Sequence, residues 1–409
     1  MEFLSERLPQ GLDVIAERNP DAYSMSVGFF VRTGARDEQP QMSGVSHFLE
    51  HMLFKGTPRR SADDVNREFD EMGARYNAYT TEENTVYYAA VLPEHQRQVV
   101  ELLADIMRPS LRAEDLEIEK NVILEEINMY EDQPPFGADE KCRELFFGDH
   151  PLARSVLGTA ESITAMTADA MRDYFRRRYG PENIVLAAAG DVDFDALVTT
   201  ARQCCGEWEP AGATRPMPAA QPRTESLAIR KDIATQHYAL QMANSTAADD
   251  PRRFAAKLAA MILGDETGSR LFWELIDPGL AESVSMHHCE YDGAGAMLTF
   301  TSCEPREIDR NLDCIAAVCQ QAAAEGVTDE ELSQAKNKAR SRIVLSAERP
   351  RGRLFSLGPD WLYRQEYRSI EDDLTTVDQL TVDDVNRILR EFPLTSPTTV
   401  TVGPNNGRP

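Results

Sequence analysis

Two histidines four residues apart, His47 and His51, enclose Glu50 in the segment His-Phe-Leu-Glu-His. Side chains four apart on a helix share a face, so both imidazoles can reach one ion. Glu50 precedes His51 directly, and it points into the same space without having to be a ligand itself. Two neutral imidazoles with a nearby carboxylate are what a catalytic zinc ion needs, because the nitrogens hold the metal and the acid accepts a proton from the metal-bound water.

The order His-x-x-Glu-His is the inverzincin signature, the reverse of the commoner His-Glu-x-x-His. A short motif is a hypothesis that its surroundings must support. The alternative is a pair of helix histidines whose ring nitrogens are satisfied by water or by the backbone. The pentapeptide alone leaves both interpretations open.

A second group of acidic residues lies on the helix that the sequence predicts at 113–130. Glu119 and Glu126 are seven residues apart, so they lie on one face, beside the apolar Val122 and Ile123. A carboxylate on a partly apolar face is costly unless it is paired or ligated. The alternative is solvated helix charge, which we expect of the neighbouring Glu114, Glu117, Glu125 and Glu131. Composition alone does not choose among these glutamates.

Length and charge limit the class of protein. A chain of 409 residues exceeds the size at which one core stops growing, so two domains are expected. The formal charge of −25 argues against nucleic acid as a partner, because no net cationic surface would displace counterions from phosphates. The acidity would attract basic peptides, although solubility alone is the favoured explanation of it.

The expected location is the cytoplasm. The first residues lack a basic segment followed by an apolar core, so no signal peptide is expected. No stretch approaches 18 uninterrupted apolar residues, so no membrane span is expected. The 7 cysteines are odd in number and form no Cys-x-x-Cys pair, which is typical of reduced thiols.

Alternation and turn signals predict the elements around the motif. Ser43 is the expected N-cap of the motif helix, which Gly56-Thr57-Pro58 ends. The pattern predicts strands at 11–18, 23–33, 75–80 and 83–91, and further helices at 61–72, 94–107 and 113–130.

The order of elements repeats after a linker at 209–225, which holds four prolines and no periodicity. Strand-like segments at 227–232 and 236–243 match the opening pair. A helix at 251–263 stands where the motif helix stood, and offers alanines instead of ligands: Ala256, Ala259 and Ala260. We therefore predict two copies of one unit. The metal-binding domain spans 1–208 and the domain without metal spans 226–409.

Residues 47–57 resemble the active-site segment of the pitrilysin family of zinc peptidases, and are most like the processing-peptidase branch that includes the β subunit of mitochondrial processing peptidase. The segments 77–88 and 119–127 agree with the same family in order and spacing. The resemblance covers the whole chain and is strongest over residues 10–190. It implies an α+β fold of two tandem homologous domains, each a mostly antiparallel sheet packed with helices.

Carried onto this sequence, the resemblance implies that His47, His51 and Glu126 are the zinc ligands. It implies that Glu50 is the general base and that Glu119 orients a ligand. The resemblance, not composition, selects Glu126; the one-residue offset turns Glu125 roughly 100° away around the helix.

The resemblance also assigns a substrate-binding strand. Asn77, Ala78 and Tyr79 match the edge strand on which such enzymes add an extended substrate as another strand. The implied activity is that of a zinc-dependent endopeptidase acting on short or unfolded peptides held in a chamber between the two domains. The alternative is a non-catalytic peptide-binding or assembly subunit of a heterodimeric complex.

One departure from the family concerns the second half. Self-sufficient members carry an Arg and a Tyr that bind the substrate and polarise its carbonyl, after a segment like the Gly268–Phe272 stretch of this chain. The expected positions hold Ile276 and Glu282, neither of which stabilises an oxyanion. We therefore expect a homodimer, or a heterodimer with a related chain that supplies the Arg and Tyr. Three residues of this chain are open as replacements: Tyr291, Arg351 and Arg353.

Overall fold

The computed structural model describes residues 1–135 and 137–404, which form two compact units. The first unit comprises 1–127, 154–216 and 344–369. The second comprises 128–153, 217–343 and 370–409, of which 136 and 405–409 lie outside the described residues. Each unit is therefore assembled from segments that are distant in the sequence.

Strands and helices follow one another along the chain with short 3-10 turns between them. The strands are β1 (Glu2–Arg7), β2 (Asp13–Arg18), β3 (Met25–Val31), β4 (Arg75–Thr80), β5 (Thr85–Val91), β6 (Ile184–Gly190), β7 (Ser226–Arg230), β8 (His237–Asn244), β9 (Ser283–Tyr291), β10 (Ala294–Cys303) and β11 (Thr398–Gly403).

The helices occur in groups between these strands. They are α1 (Val45–Leu53), α2 (Ala62–Glu71), α3 (Gln96–Ile106), α4 (Ala113–Asp132), α5 (Ala138–Phe147), α6 (Ala160–Ala165), α7 (Ala168–Arg178), α8 (Phe194–Cys205), α9 (Arg253–Gly264), α10 (Ile308–Glu325), α11 (Asp329–Ala347), α12 (Pro350–Arg364), α13 (Ile370–Gln379) and α14 (Val382–Glu391).

The first unit contains a six-stranded sheet in the order β1-β2-β6-β3-β5-β4, in which only the β2–β6 pair is parallel. Its central strands β3 and β6 are buried at every residue because helices cover both faces. Adjacent side chains on a strand point to opposite faces. Accordingly, Phe29 packs on Trp208 after α8, whereas Phe30 packs on Phe355 of α12.

The second unit contains a five-stranded sheet in the order β7-β11-β8-β10-β9, again with one parallel pair, β7–β11. This order repeats β2-β6-β3-β5-β4 of the first sheet strand for strand. The prediction of two tandem α+β domains with mostly antiparallel sheets is confirmed. The position of the motif helix is taken by α9, where Ala256 and Ala259 are fully buried against neighbouring helices and strands.

The compact units do not follow the predicted division at 208 and 226. Residues 128–153, which include α5, pack in the second unit, and residues 344–369, which include α12, pack in the first. Each helix belongs to the unit on which its apolar face packs. The helix α5 covers β8 and β11, and the helix α12 covers β3 and β6. The predicted linker at 209–225 has no helix or strand, but it is partly buried, because Arg215 pairs with Asp37 in the first unit.

The predicted elements of the first half are present with shifted ends. The strand β1 is an addition, since Glu2–Arg7 pairs with β2 and was not expected to be a strand. The prediction of Ser43 as N-cap is wrong: α1 begins at Val45 and its N-cap is Gly44, with φ of 87°. Among the described residues, no helix is long and apolar enough to cross a bilayer.

Candidate metal centre

The helix α1 is anchored at its first turn by a buried carboxylate. Glu38 accepts hydrogen bonds from the backbone N–H groups of Gly44 and Ser46, each at 2.7 Å. The first turn of a helix has backbone donors without intrahelical partners, and Glu38 satisfies two of these groups. Burial raises the pKa of Glu38 to about 8, although the two backbone donors lower it. This contact fixes where α1 begins and hence where its side chains point.

His47 and His51 converge with Glu126 of α4 on one small region. The Nε2 atom of His47 lies 3.7 Å from Oε2 of Glu126, and Nε2 of His51 lies 3.9 Å from the same oxygen. One ligand atom from each of the three residues lies within 4.8 Å of the others, and no second group of this kind occurs in the described ranges. Glu125, one residue earlier, is exposed.

The donor set fits a zinc ion. Two imidazole nitrogens and one carboxylate oxygen are a common set for catalytic zinc, which leaves a position open for water or substrate. Burial, followed by the neighbouring His51, lowers the pKa of His47 to about 3, so this ring is neutral and able to bind a metal. Burial raises the pKa of Glu126, so the ionised carboxylate gains from a cation beside it.

Glu119 contacts His51 at the ring nitrogen that does not face Glu126. Its Oε1 atom lies 2.8 Å from Nδ1 of His51, and its Oε2 atom lies 2.6 Å from Nζ of Lys55. Burial raises the pKa of Glu119, but the hydrogen bonds from His51 and Lys55 outweigh burial and leave that pKa lowered. An ionised carboxylate only accepts, so Nδ1 of His51 carries the proton and Nε2 is left for a metal.

Glu50 lies on α1 beside the ligands, where the helix packs on the edge strand β4. Its Oε2 atom accepts a hydrogen bond of 2.6 Å from Oγ1 of Thr80, the last residue of β4. Burial and the charge of Glu126 raise the pKa of Glu50, and this outweighs the lowering by Thr80 and His51. A carboxylate with a raised pKa is suited to accept a proton near neutral pH.

Asn77, Ala78 and Tyr79 lie in the middle of β4, which is an edge of the six-stranded sheet. One side of β4 pairs with β5, as in the Asn77–Tyr88 and Tyr79–Val86 pairs. Among the described residues no strand pairs with its other side. A free edge offers unpaired backbone N–H and C=O groups, to which an extended peptide can add as a further strand.

The positions expected to hold an Arg and a Tyr contain no donor of that kind. Ile276 ends a short π-helical turn and packs against the core of the second unit. Glu282 is exposed, and its backbone N–H donates to the carbonyl of Ser302. Tyr291 is buried in an apolar cluster of the same unit. In the first unit Arg353 is committed to an ion pair with Glu17.

Three contact residues of this centre were not predicted as such. Lys55 lies four residues after His51 on the same stretch of chain, and this spacing was the available signal for its contact with Glu119. Thr80 directly follows the predicted substrate strand. Glu38 has no signal in the sequence, since only the folded loop brings it to the start of α1.

Comparison with known families agrees with this architecture. The profile of the family described as Insulinase (Peptidase family M16) matches residues 13–160, and that of the Peptidase M16 inactive domain matches residues 165–339. Together they cover most of the chain. The chain therefore belongs to peptidase family M16, with one domain of each kind in tandem.

Relatives of similar length carry related names. An uncharacterized zinc protease of Mycobacterium tuberculosis is 36% identical over 394 residues, covering 94% of this chain and 89% of the relative. One of Bacillus subtilis is 29% identical, covering 93% of each chain. Among solved structures, a protease from Helicobacter pylori has the same fold, with a TM-score of 0.91 at 20% identity over 98% of this chain and 99% of that one.

Proposed function

We propose that this chain is a zinc-dependent endopeptidase that hydrolyses short or unfolded peptides. The observation that carries the proposal is the convergence of His47, His51 and Glu126 within 4.8 Å, with Glu50 beside them. A buried set of two imidazoles and a carboxylate supports metal binding, and a separate carboxylate at the same place supports general base chemistry.

The proposed roles follow from the contacts of each side chain. His47, His51 and Glu126 would hold the zinc ion, which when bound polarises a carbonyl and lowers the pKa of water. Glu50 accepts the proton of the attacking water and passes it to the leaving amine. Thr80 orients the Glu50 carboxylate through their 2.6 Å hydrogen bond. Glu119 keeps the proton of His51 on Nδ1 and so directs its Nε2 atom to the metal.

The edge strand β4 is the proposed substrate strand. Asn77, Ala78 and Tyr79 would bind the peptide through their backbone groups, as a seventh strand of the sheet. Because Thr80 contacts Glu50, a peptide paired along β4 would pass the general base near the Thr80 end. Backbone pairing favours substrates that are short or unfolded, since a folded protein has few extended segments to offer.

We further propose that the chain is of the processing-peptidase branch and acts as a dimer. The support is the lack of a carbonyl-polarising donor at Ile276 and Glu282. The dimer would be a homodimer, or a heterodimer with a related chain that supplies the Arg and Tyr. A non-catalytic peptide-binding subunit is the second candidate function, and the same two residues favour it.

The test is hydrolysis of a quenched fluorescent peptide library by the purified chain. We expect activity, either of the chain alone or of the chain mixed with a related chain that carries the Arg and Tyr. This activity should require zinc, stop with a chelator and be lost in Glu50→Gln while one zinc per chain stays bound. Glu126→Gln should lose zinc, whereas Glu125→Gln, with its exposed side chain, is the matched control and should keep it.

Hydrolysis by the chain alone would overturn the proposal that a different chain supplies the Arg and Tyr. Zinc binding without hydrolysis, alone or mixed with a related chain that carries the Arg and Tyr, would favour the binding subunit. Retention of zinc by Glu126→Gln would show that Glu126 is not a zinc ligand, and this would contradict the metal site on which the proposed function rests.

A further inference from the structure

A large open cleft lies in the first unit, away from the metal centre. Its volume is about 1220 Å³, and it is lined by the start of β4, the end of β5, the loop before β3 and the first turn of α12. None of the three proposed ligands lines it. The proposed mechanism therefore leaves this cleft without a role.

Three arginines line the cleft, namely Arg75, Arg349 and Arg351. In the part of the chain that the structure describes, no carboxylate lies within ion-pair distance of any of them, although Asp21 and Glu348 also line the cleft. The chain has 68 acidic and 43 basic residues, so carboxylates that could have neutralised these guanidinium groups are in excess. Unneutralised guanidinium groups in one cleft attract an anionic ligand.

Arg351 is held in place for such a contact. Its guanidinium lies 5.9 Å from the ring centre of Tyr88 and 6.0 Å from that of Phe355, within cation–π range. Those two rings pack edge to face at 4.8 Å. Arg349 and Arg351 also flank the N-terminus of the 15-residue helix α12, whose dipole adds positive potential.

The cleft and the general base lie at opposite ends of one strand. Arg75 is the first residue of β4, and Thr80, which contacts Glu50, is the last. Five strand intervals of about 3.3 Å make roughly 17 Å between them. A peptide paired along β4 with its scissile bond at Glu50 would therefore reach the arginines about five residues from that bond.

We propose that this cleft, lined by Arg75, Arg349 and Arg351, is a specificity subsite that binds an acidic side chain of the peptide substrate about five residues from the scissile bond. The inference rests on the proposed peptidase function and on β4 as the substrate strand. It predicts a local preference for acidic residues, opposite to the preference for basic peptides that the total charge of −25 would produce. Local ion pairs prevail because the distant charges are screened by salt.

The test compares quenched peptides of equal length and sequence that carry Glu-Glu, Gln-Gln or Lys-Lys four to six residues from the cleaved bond, on either side in turn. We expect kcat/KM for Glu-Glu to exceed that for Gln-Gln by about two- to fivefold for each ion pair formed, and Lys-Lys to be poorest. The ratio should fall between roughly 50 and 300 mM salt. The side that shows the preference gives the direction of the peptide along β4.

The combined variant Arg349→Gln and Arg351→Gln should bring the Glu-Glu to Gln-Gln ratio close to one. Arg306→Gln, an arginine in the second unit whose side chain is 78% exposed, is the control and should keep the wild-type ratio. A Glu-Glu to Gln-Gln ratio of one in the wild-type protein, or a preference for Glu-Glu that persists in the double variant, would contradict the proposed subsite.

A binding measurement separates this inference from the proposed function. Labelled Glu-Glu and Gln-Gln peptides are titrated with zinc-loaded Glu50→Gln protein, with and without the two arginine substitutions, and followed by fluorescence anisotropy. If no peptide is ever hydrolysed, the peptidase proposal fails. Tighter binding of the Glu-Glu peptide that depends on the arginines would still support the proposal that the cleft binds acidic side chains. Equal binding of both peptides would reject it.

Discussion

At the scale of single residues, three glutamates surround His51 and each has a different environment. Glu126 is half-buried and faces both imidazoles, Glu119 is paired with Lys55, and Glu50 accepts a hydrogen bond from Thr80. Burial raises the pKa of all three carboxyl groups, but for Glu119 the hydrogen bonds from His51 and Lys55 outweigh burial, so its pKa is lowered while those of Glu50 and Glu126 are raised. The same side-chain chemistry can therefore serve as ligand, as support for a ligand and as base.

We expect zinc affinity to depend on pH through the contact of Glu119 with His51. Burial lowers the pKa of His51, but the hydrogen bond with Glu119 and the surrounding carboxylates outweigh burial and raise it. A protonated imidazole cannot bind zinc, so affinity should be complete above the raised pKa and fall as pH drops through it. Glu119→Gln removes a raising charge, so the fall should occur at lower pH, while affinity at high pH drops roughly 10- to 100-fold.

Zinc titrations with a competing chelator across the pH range would measure both effects. Glu117→Gln, on the same helix with an exposed side chain, is the matched control. A Glu119→Gln profile with the wild-type midpoint would show that Glu119 does not set the proton affinity of His51.

At the scale of elements, the start of α1 depends on a left-handed residue. Gly44 has φ of 87°, and a Cβ there would lie 2.4 Å from the carbonyl oxygen of Leu157 and 2.9 Å from Cδ1 of Ile163. Backbone atoms cannot move aside cheaply, so the helix would have to shift. His47 lies in the first turn, and a shift of α1 would displace this proposed ligand.

Gly44→Ala should therefore impair both stability and metal binding. Gly73 is the matched control, because its φ of 61° is also left-handed but a Cβ there meets nothing within 4 Å. Gly73→Ala should cost roughly 1 kcal/mol in free energy of unfolding, from the backbone alone, and Gly44→Ala at least about twice that. Chemical denaturation and zinc titration measure the two effects; equal losses in both variants would show that the contact with Leu157 is unimportant.

At the scale of the whole molecule, the chain exchanges segments between its halves. The helix α12 comes late in the sequence but belongs to the first unit, where Arg353 meets Glu17 of β2. Both side chains are almost fully buried, and Tyr367 donates a further hydrogen bond to Glu17 at 2.9 Å. The sheet that supports the candidate metal centre thus depends on a residue 336 positions downstream of its partner.

Removing one partner of this buried pair should destabilise the first unit. Arg353→Gln leaves the Glu17 carboxylate buried without its counter-charge, and we expect a loss of about 3–5 kcal/mol in free energy of unfolding. Replacing both partners, as Glu17→Leu with Arg353→Met, should recover most of the loss, because two apolar groups leave no unpaired charge.

Urea denaturation followed by circular dichroism measures these changes, with the exposed Arg306→Gln as control. A loss in Arg353→Gln no larger than in the control would mean that the ion pair does not hold α12 to the sheet.

The sequence by itself determined the family and the residues available for chemistry. Helix geometry alone brings His47, Glu50 and His51 to one side of a helix, and the aromatic and β-branched residues were enough to place β4 and β5. The resemblance to known zinc peptidases singled out Glu126, and the predicted tandem halves are present as two sheets of matching strand order. Apart from Glu126, which the resemblance selected, these features depend on local patterns of residue type, which a sequence records directly.

The tertiary structure alone decided which distant residues meet. The contacts of Glu38 with the start of α1, of Thr80 with Glu50 and of Glu17 with Arg353 join separate segments, and no local pattern marks them. The same holds for the cleft, whose three arginines come from residues 75 and 349–351. The exchange of α5 and α12 between units has the same cause: an apolar helix face packs on whichever sheet lies within reach, and sequence order does not specify which sheet that is.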